Sequence, residues 1–233
     1  IKVQISESDL LEGSGPEYET LGMMGSCCKV SDLIAIAKAN DICNRLGIDT
    51  VSAGAYIAFL MECYEKGLIT ETDAEGLELK WGDGDVLVEL TKQIALGEGL
   101  GKLFDKGIVG AAGKIGNGAE ELIAHVKNMD IPAHDPRAIF DLYVNYAVAT
   151  RGACHERGDI EDLAFGLAYP ELGMPTPPDR FSTDSYVVKV FQDTCVIYNS
   201  LVICNFMVAS SSLKLNQIMT VFNDITGFNW NLS

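Results

Sequence analysis

The residues best suited to chemistry in this 233-residue chain are seven cysteines, three histidines and one run that joins several reactive types, Arg151-Gly152-Ala153-Cys154-His155. A thiolate can ligate iron, an imidazole carries protons near neutral pH, and a guanidinium grips an anion at two points. The cysteine count is odd and no CxxC is present. Cys43, Cys63, Cys154, Cys195 and Cys204 lie in apolar helical patterns, and the adjacent Cys27 and Cys28 cannot readily pair with each other. This is no secreted disulfide framework; it points to a reducing cytoplasm in which most thiols act as small buried hydrophobes. His125 reads as helical with no partner at i+4, and His134 sits in a proline-rich loop, so neither has zinc-site spacing. His155 follows directly on a helix end. Taken alone, Arg151 and His155 are equally suited to offsetting a helix dipole.

The glycines offer a second lead that fails. Gly97-x-Gly99-x-Gly101 has no strand before it, as a dinucleotide loop requires. Gly113-Lys114 lacks the earlier glycine of a phosphate loop, where Ile108 stands, and Ile115 replaces the magnesium-binding Ser or Thr. Residues 97–118 read instead as a flexible or tightly turned surface loop.

These residues need helices to position them. Leu33, Ile36, Ala39, Ile42, Cys43 and Leu46 recur at helical spacing from Ser31 until Gly47 ends the pattern. A second helix follows Ser52 and stops at Gly67. A third is capped by Asp85, a fourth starts at Asp135-Pro136, a fifth opens at Ser182 or Thr183, and the last begins near Ser211 or Ser212 and ends by Gly227. Residues before Gly25 and between Gly166 and Pro178 read as loop, and no strand–helix–strand alternation or hairpin pattern is found. The expected fold is all-α, with two helical lobes over residues 1–130 and 131–233. A formal charge of −16 excludes a nucleic-acid binder, which needs surplus Lys and Arg. No apolar run is long enough for a membrane span; the longest, Val196 to Val208, is broken by Asn199, Ser200 and Asn205. The first residues, Ile1-Lys2-Val3-Gln4, carry neither an initiating Met nor a signal peptide.

Four segments taken together resemble the tungsten-containing aldehyde:ferredoxin oxidoreductase family. Gly15-Pro16-Glu17-Tyr18-Glu19-Thr20 matches its Gly-Pro-Glu-Tyr-Glu-Thr signature, and Arg151 to His155 its Arg-Gly-Ala-Cys-His. Asn44-Arg45-Leu46-Gly47-Ile48-Asp49 resembles its first pterin element, usually Asp-x-x-Gly-Leu-Asp. Asn199-Ser200-Leu201-Val202-Ile203-Cys204 resembles the second, usually Asp-x-x-Gly-Leu-Cys. The likeness covers essentially the whole chain.

The resemblance implies two helical domains that cover one side of a tungsten bis-pterin cofactor of the molybdopterin type, the other side being held by an N-terminal β-rich base domain. It implies a 4Fe-4S cluster whose fourth ligand is Cys204, the other three cysteines preceding the Gly-Pro-Glu segment. Asn44, Asp49 and Asn199 would bond the pterin edges, Ile48 and Ile203 would pack on the rings, and Arg151 would anchor a phosphate. Glu19 and His155 would stand near the metal and handle the protons released as a small aldehyde becomes an acid, with ferredoxin taking the electrons. Glu17 is then a loop residue. The departures are Asn for Asp at Asn44 and Asn199, which removes charge beside the cofactor but keeps an acceptor, and Val202 for Gly. Two other readings stay open: a piece of a tungsten aryl-CoA reductase, and a non-catalytic helical module descended from the family. On the family pattern the chain is cut short at both ends. By itself it is expected to fold, to bind no cofactor, and to form a homo-oligomer through the apolar face around Ile48 and Ile203.

Overall fold

Four helices begin on an aspartate whose carboxylate accepts backbone N–H groups of the first turn, which the helix itself cannot satisfy. Asp32 accepts from Ile34 N at 2.8 Å and Ala35 N at 3.2 Å, and Asp49 from Ser52 N at 2.8 Å. Asp83 accepts from Asp85 N at 2.9 Å and Val86 N at 3.1 Å, and Asp184 from Tyr186 N at 2.9 Å. The starts expected at Ser31, Ser52, Asp85 and Ser182 or Thr183 therefore shift to these neighbouring residues, where a negative charge also meets the positive end of the helix dipole.

The structure, a computed structural model, describes residues 3–4, 10–11, 13–166, 168–174, 179, 181–209 and 212–232. It is all-α in class, as the sequence implies, and falls into two compact units, Ile1–Ala133 and His134–Ser233. Among the described residues no helix is long and apolar enough to cross a membrane.

In the first unit, β1 (Val3–Gln4) pairs antiparallel with β2 (Leu10–Leu11). Next, α1 (Tyr18–Thr20) runs directly into a π-helical segment, Leu21–Cys27. Then come α2 (Leu33–Leu46), α3 (Thr50–Glu65), α4 (Gly84–Leu96), a 3-10 segment Gly99–Lys106 and α5 (Gly107–Ile115). The unit closes with the hairpin β3 (His125–Val126) and β4 (Met129–Asp130). The core forms around α3, whose Ala53, Ile57, Leu60, Met61 and Cys63 are fully buried. Gly54 lets the π segment lie against this helix, because a Cβ there would come within 2.6 Å of Met23 Cβ and 2.7 Å of its carbonyl carbon.

Three expectations are corrected here. The stretch before Gly25 is helical from Tyr18 onward. The glycine-dense residues are not a surface loop: most of them form the 3-10 segment and α5, and Ala111 and Ala112 are completely buried. Small residues every third or fourth position make a helix that packs closely, a pattern easily confused with a flexible loop. His125 lies in a hairpin, not a helix. Lys127 and Asn128 turn the hairpin with φ of 53° and 60°, and strands of two residues are too short to show alternation.

The second unit contains α6 (Asp141–Val148), 3-10 turns at His155–Arg157, Ile160–Phe165 and Pro170–Leu172, then α7 (Ser185–Leu201), α8 (Asn205–Ala209) and α9 (Leu215–Thr226). Asp135 does not start a helix. Its carboxylate closes a turn on Arg137 N at 2.9 Å, and α6 starts six residues later, at Asp141. The last helix starts at Leu215 with Lys214 at its N-cap position, where Lys214 N donates to Gln217 Oε1 at 2.9 Å; Ser211 is outside the described residues, as are residues 175–178 of the expected loop. Helices α6 and α7 are joined by Asp141 Oδ1, which accepts from Asp184 N at 2.9 Å, and by Gln192 Nε2, which donates to Asn145 Oδ1 at 2.8 Å.

Candidate active site

In the first unit the site begins where α2 ends. Gly47 adopts the left-handed conformation, φ 72°, and Ile48 N reaches back to Cys43 O at 2.9 Å, the closing bond of a Schellman cap. Asp49 follows at once as the N-cap of α3. The result is a tight helix–corner–helix in which Asn44 and Asp49 are exposed and Ile48 rests half-buried against the core. Glu19 is only 8 % exposed; its Oε2 accepts from Ala133 N at 2.7 Å, while Tyr18 OH donates to Ala133 O at 2.9 Å. Thr20 ties this segment to the corner, its hydroxyl 2.9 Å from that of Thr50. Two helices thus present Glu19 and the corner as one connected piece. Glu17 is exposed, and its carbonyl accepts from Leu21 N at 2.9 Å.

Asp130, which the sequence did not single out, is 3 % exposed beside the first turn of α3. Burial lifts its carboxyl to about 6, the nearby charge of Asp49 adds to that, and a hydrogen bond from Ser52 opposes it. Its Oδ1 has no hydrogen-bond partner among the described residues. Tyr56, one turn further along α3, is pushed up to about 12, mainly by burial and then by Asp130 and Asp49.

The second unit repeats the corner at the end of α7. Val202 takes the left-handed conformation, φ 57° and ψ 38°, and Ile203 N reaches back to Tyr198 O at 2.9 Å. Cys204 follows and α8 begins at Asn205. Asn199 and Cys204 are exposed, and Val202 is 92 % exposed. A β-branched residue is strained in this conformation, which glycine would enter freely. Of the seven free cysteines only Cys27 and Cys204 are exposed.

Residues 151–155 make a turn after α6. Gly152, Ala153 and Cys154 are buried, whereas Arg151 projects outward. The fully buried Asn145 holds the turn, its Nδ2 donating to Cys154 O at 3.2 Å while its Oδ1 accepts from Gln192 on α7. His155 is thereby fixed with its side chain 16 % exposed and its Nε2 3.9 Å from Glu161 Oε1. Its ring stacks on His134, centroids 4.3 Å apart.

Around the imidazoles stand three acids that sequence reasoning missed. Burial is the leading cause of a raised carboxyl at Asp159, to about 7, at Glu161, to about 7, and at Asp162, to about 6. Mutual repulsion adds to the shifts of Asp159 and Glu161, and His134 opposes all three. Cys195 on α7 donates its thiol to Asp159 Oδ2 at 3.5 Å. The only available signal was the clustering of acids directly after His155, which reads in a sequence as a solvated face.

Each unit thus carries an exposed polar corner on otherwise well-packed helices, and the second also holds His155 in a turn. A family model described as aldehyde ferredoxin oxidoreductase, domains 2 and 3, matches residues 1–233, and the chain belongs to that family. It is 33 % identical over 199 residues to the tungsten-containing aldehyde ferredoxin oxidoreductase of Pyrococcus furiosus, covering 84 % of this chain and 32 % of that protein. The enzyme of the same name from Thermococcus kodakarensis is 31 % identical over 196 residues, 82 % of this chain and 31 % of its own. The aliphatic sulfonate oxidoreductase, WOR-like subunit, of Pyrococcus furiosus is 30 % identical over 220 residues, 92 % of this chain and 31 % of its own. The chain therefore spans about a third of the length of these relatives.

Proposed function

We propose that this chain forms the helical side of a tungsten bis-pterin site in a protein that oxidises aldehydes to carboxylic acids and passes the electrons to ferredoxin. The observation that carries the reading is the repeated corner: each unit has one, and each sets exposed hydrogen-bonding groups on rigid backbone. Asn44 and Asp49 in one, Asn199 in the other, suit the amide-like edge of a pterin, with Ile48 and Ile203 half-buried beside them. Arg151, exposed on a turn fixed by Asn145, suits a pterin phosphate. Cys204 is an exposed thiol on the second corner, which fits a ligand to a 4Fe-4S cluster. The resemblance assigns the other three ligands and the opposite face of the pterins to an N-terminal base domain, so these 233 residues alone would oxidise no aldehyde.

When bound, such a cofactor supplies two-electron acceptance. The chain's own residues then orient substrate and move protons. Oxidation of RCHO with water gives RCOOH, two electrons and two protons, so a base must be held near the reacting carbon. His155 and Glu19 are the groups proposed for this, the first partly exposed, the second held by Ala133 N. The likeness to a sulfonate oxidoreductase subunit makes alkanesulfonates the second substrate class to assay.

The test uses the full-length protein, a small aldehyde and a viologen dye as acceptor. Arg151→Ala should lose bound tungsten, whereas His155→Asn should keep tungsten and lose most turnover. Full turnover of His155→Asn at every pH would refute the role given to His155.

A further inference from the structure

The acids behind His155 have no part in that reading, and their arrangement is specific. Asp159 N donates to His155 O at 2.8 Å, so the turn that carries the imidazole also carries the acids. Glu161 Oε1 lies 3.9 Å from His155 Nε2 with both side chains about 15 % exposed, and Glu161 Oε2 is enclosed without a hydrogen-bond partner among the described residues. His134 covers one face of the His155 ring. Other groups of the same unit that face the cluster include Asp159, Asp162 and Glu156 on its own turns, Cys195 and Tyr198 from α7, and Tyr169. Three carboxylates this close and this enclosed resist being ionised together, and two imidazoles stacked at 4.3 Å resist being protonated together. The three carboxyls are therefore coupled and do not titrate independently of one another.

Resting on the role proposed for His155, we propose that Glu161 is the proton acceptor behind it, receiving from Nε2 the proton that the imidazole takes up during aldehyde oxidation. In this step the Nε2–H bond breaks and an O–H bond forms at Glu161 Oε1, leaving a neutral imidazole and a carboxylic acid. The two electrons of the oxidation would be taken up by the metal–pterin group that the proposed function places beside these residues. Asp159 and Asp162 pass the proton onward to solvent, and His134 keeps the ring oriented. Glu161 is a positioning residue in this scheme: it acts through His155 and does not touch substrate.

The experiment compares wild type, Glu161→Gln, Glu161→Asp and His155→Asn in the full-length, tungsten-loaded protein. Glu161→Gln should lower kcat at least tenfold with KM and tungsten content unchanged, and should flatten the pH dependence of kcat between about pH 6 and 8. Glu161→Asp should recover part of the rate and the pH dependence. In wild type, single-turnover oxidation should be slower in D2O than in H2O, because an exchangeable N–H proton is transferred in the step. Wild-type kcat and pH profile in Glu161→Gln would overturn the proposal, and so would the absence of any solvent isotope effect. If His155→Asn is impaired while Glu161→Gln is normal, the relay alone fails; if His155→Asn is itself normal, the underlying role of His155 fails.

Discussion

The two corners follow the same backbone path with different residues, and the contrast shows what the path is for. At residues 44–49 the left-handed position is Gly47, where an added Cβ would meet nothing within 4 Å, and the last residue is an acid that caps the next helix. At residues 199–204 the left-handed position is Val202, strained and almost wholly exposed, and the last residue is an exposed thiol. The first corner is built for stability as well as contact. In the second, the thiol of Cys204 is exposed, and a β-branched residue persists where glycine would be easier. Strain of this kind is tolerated when the surrounding fold holds the position, and it gathers where a ligand is to be met.

The largest effect expected from this contrast is on iron. In the full-length protein Cys204→Ser should lower iron content and change the cluster's absorption, whereas Asp49→Asn should keep iron, since an amide can still cap α3. Iron unchanged in Cys204→Ser would remove the thiol from the cluster.

Next in size is the buried amide in each unit. Asn145 is fully buried and bonded on both sides of its amide, so Asn145→Ala should cost about 2–3 kcal/mol by orphaning Cys154 O and Gln192. Asn40 makes one bond, to Ser14 O at 2.9 Å, and Asn40→Ala should cost about 1 kcal/mol. Denaturant unfolding of the full-length variants measures both, and equal losses would show that the second unit is not held more tightly than the first.

Smaller still is the exchange at the left-handed positions. Val202→Gly should stabilise by about 1 kcal/mol and Gly47→Val should destabilise by about 1–2 kcal/mol, an opposition that thermal melts would reveal. Loss of stability in Val202→Gly would mean that the exposed valine is packed by something in the folded protein.

The two units should also differ in their response to pH. In the second, Asp141, Asp159, Glu161 and Asp162 have carboxyls raised to between about 6 and 7, chiefly by burial; in the first, Asp130 is raised to about 6. A carboxyl raised on folding favours the folded state below its unfolded value and loses that advantage as pH climbs through its folded value. The second unit should therefore weaken more than the first between about pH 4 and 7. Hydrogen exchange across that range reports each unit separately, and Asp159→Asn should blunt the effect.

Much of the helical framework was legible because apolar residues recur at helical spacing, as Ile36, Ala39 and Cys43 do along α2. The corner at Gly47 was legible for the same reason, since glycine after the last periodic residue marks a helix end. The caps shifted by a few residues, as with Ser52 giving way to Asp49, because several adjacent residues can each supply an acceptor and only packing selects one. The hairpin around Lys127 and Asn128 was hidden by the shortness of its strands. The acids behind His155 could not be read at all: Asp159, Glu161 and Asp162 look solvated in sequence, and only the tertiary fold encloses them.

The claim underlying all of this is the proposal that each corner offers hydrogen-bonding groups to a metal–pterin cofactor. Metal analysis of the purified full-length protein tests it most directly. Tungsten and iron should both be present, with tungsten falling when Asn44 and Asn199 are together changed to Ala. A correctly folded full-length protein carrying neither metal would contradict the account and leave a helical module without redox chemistry.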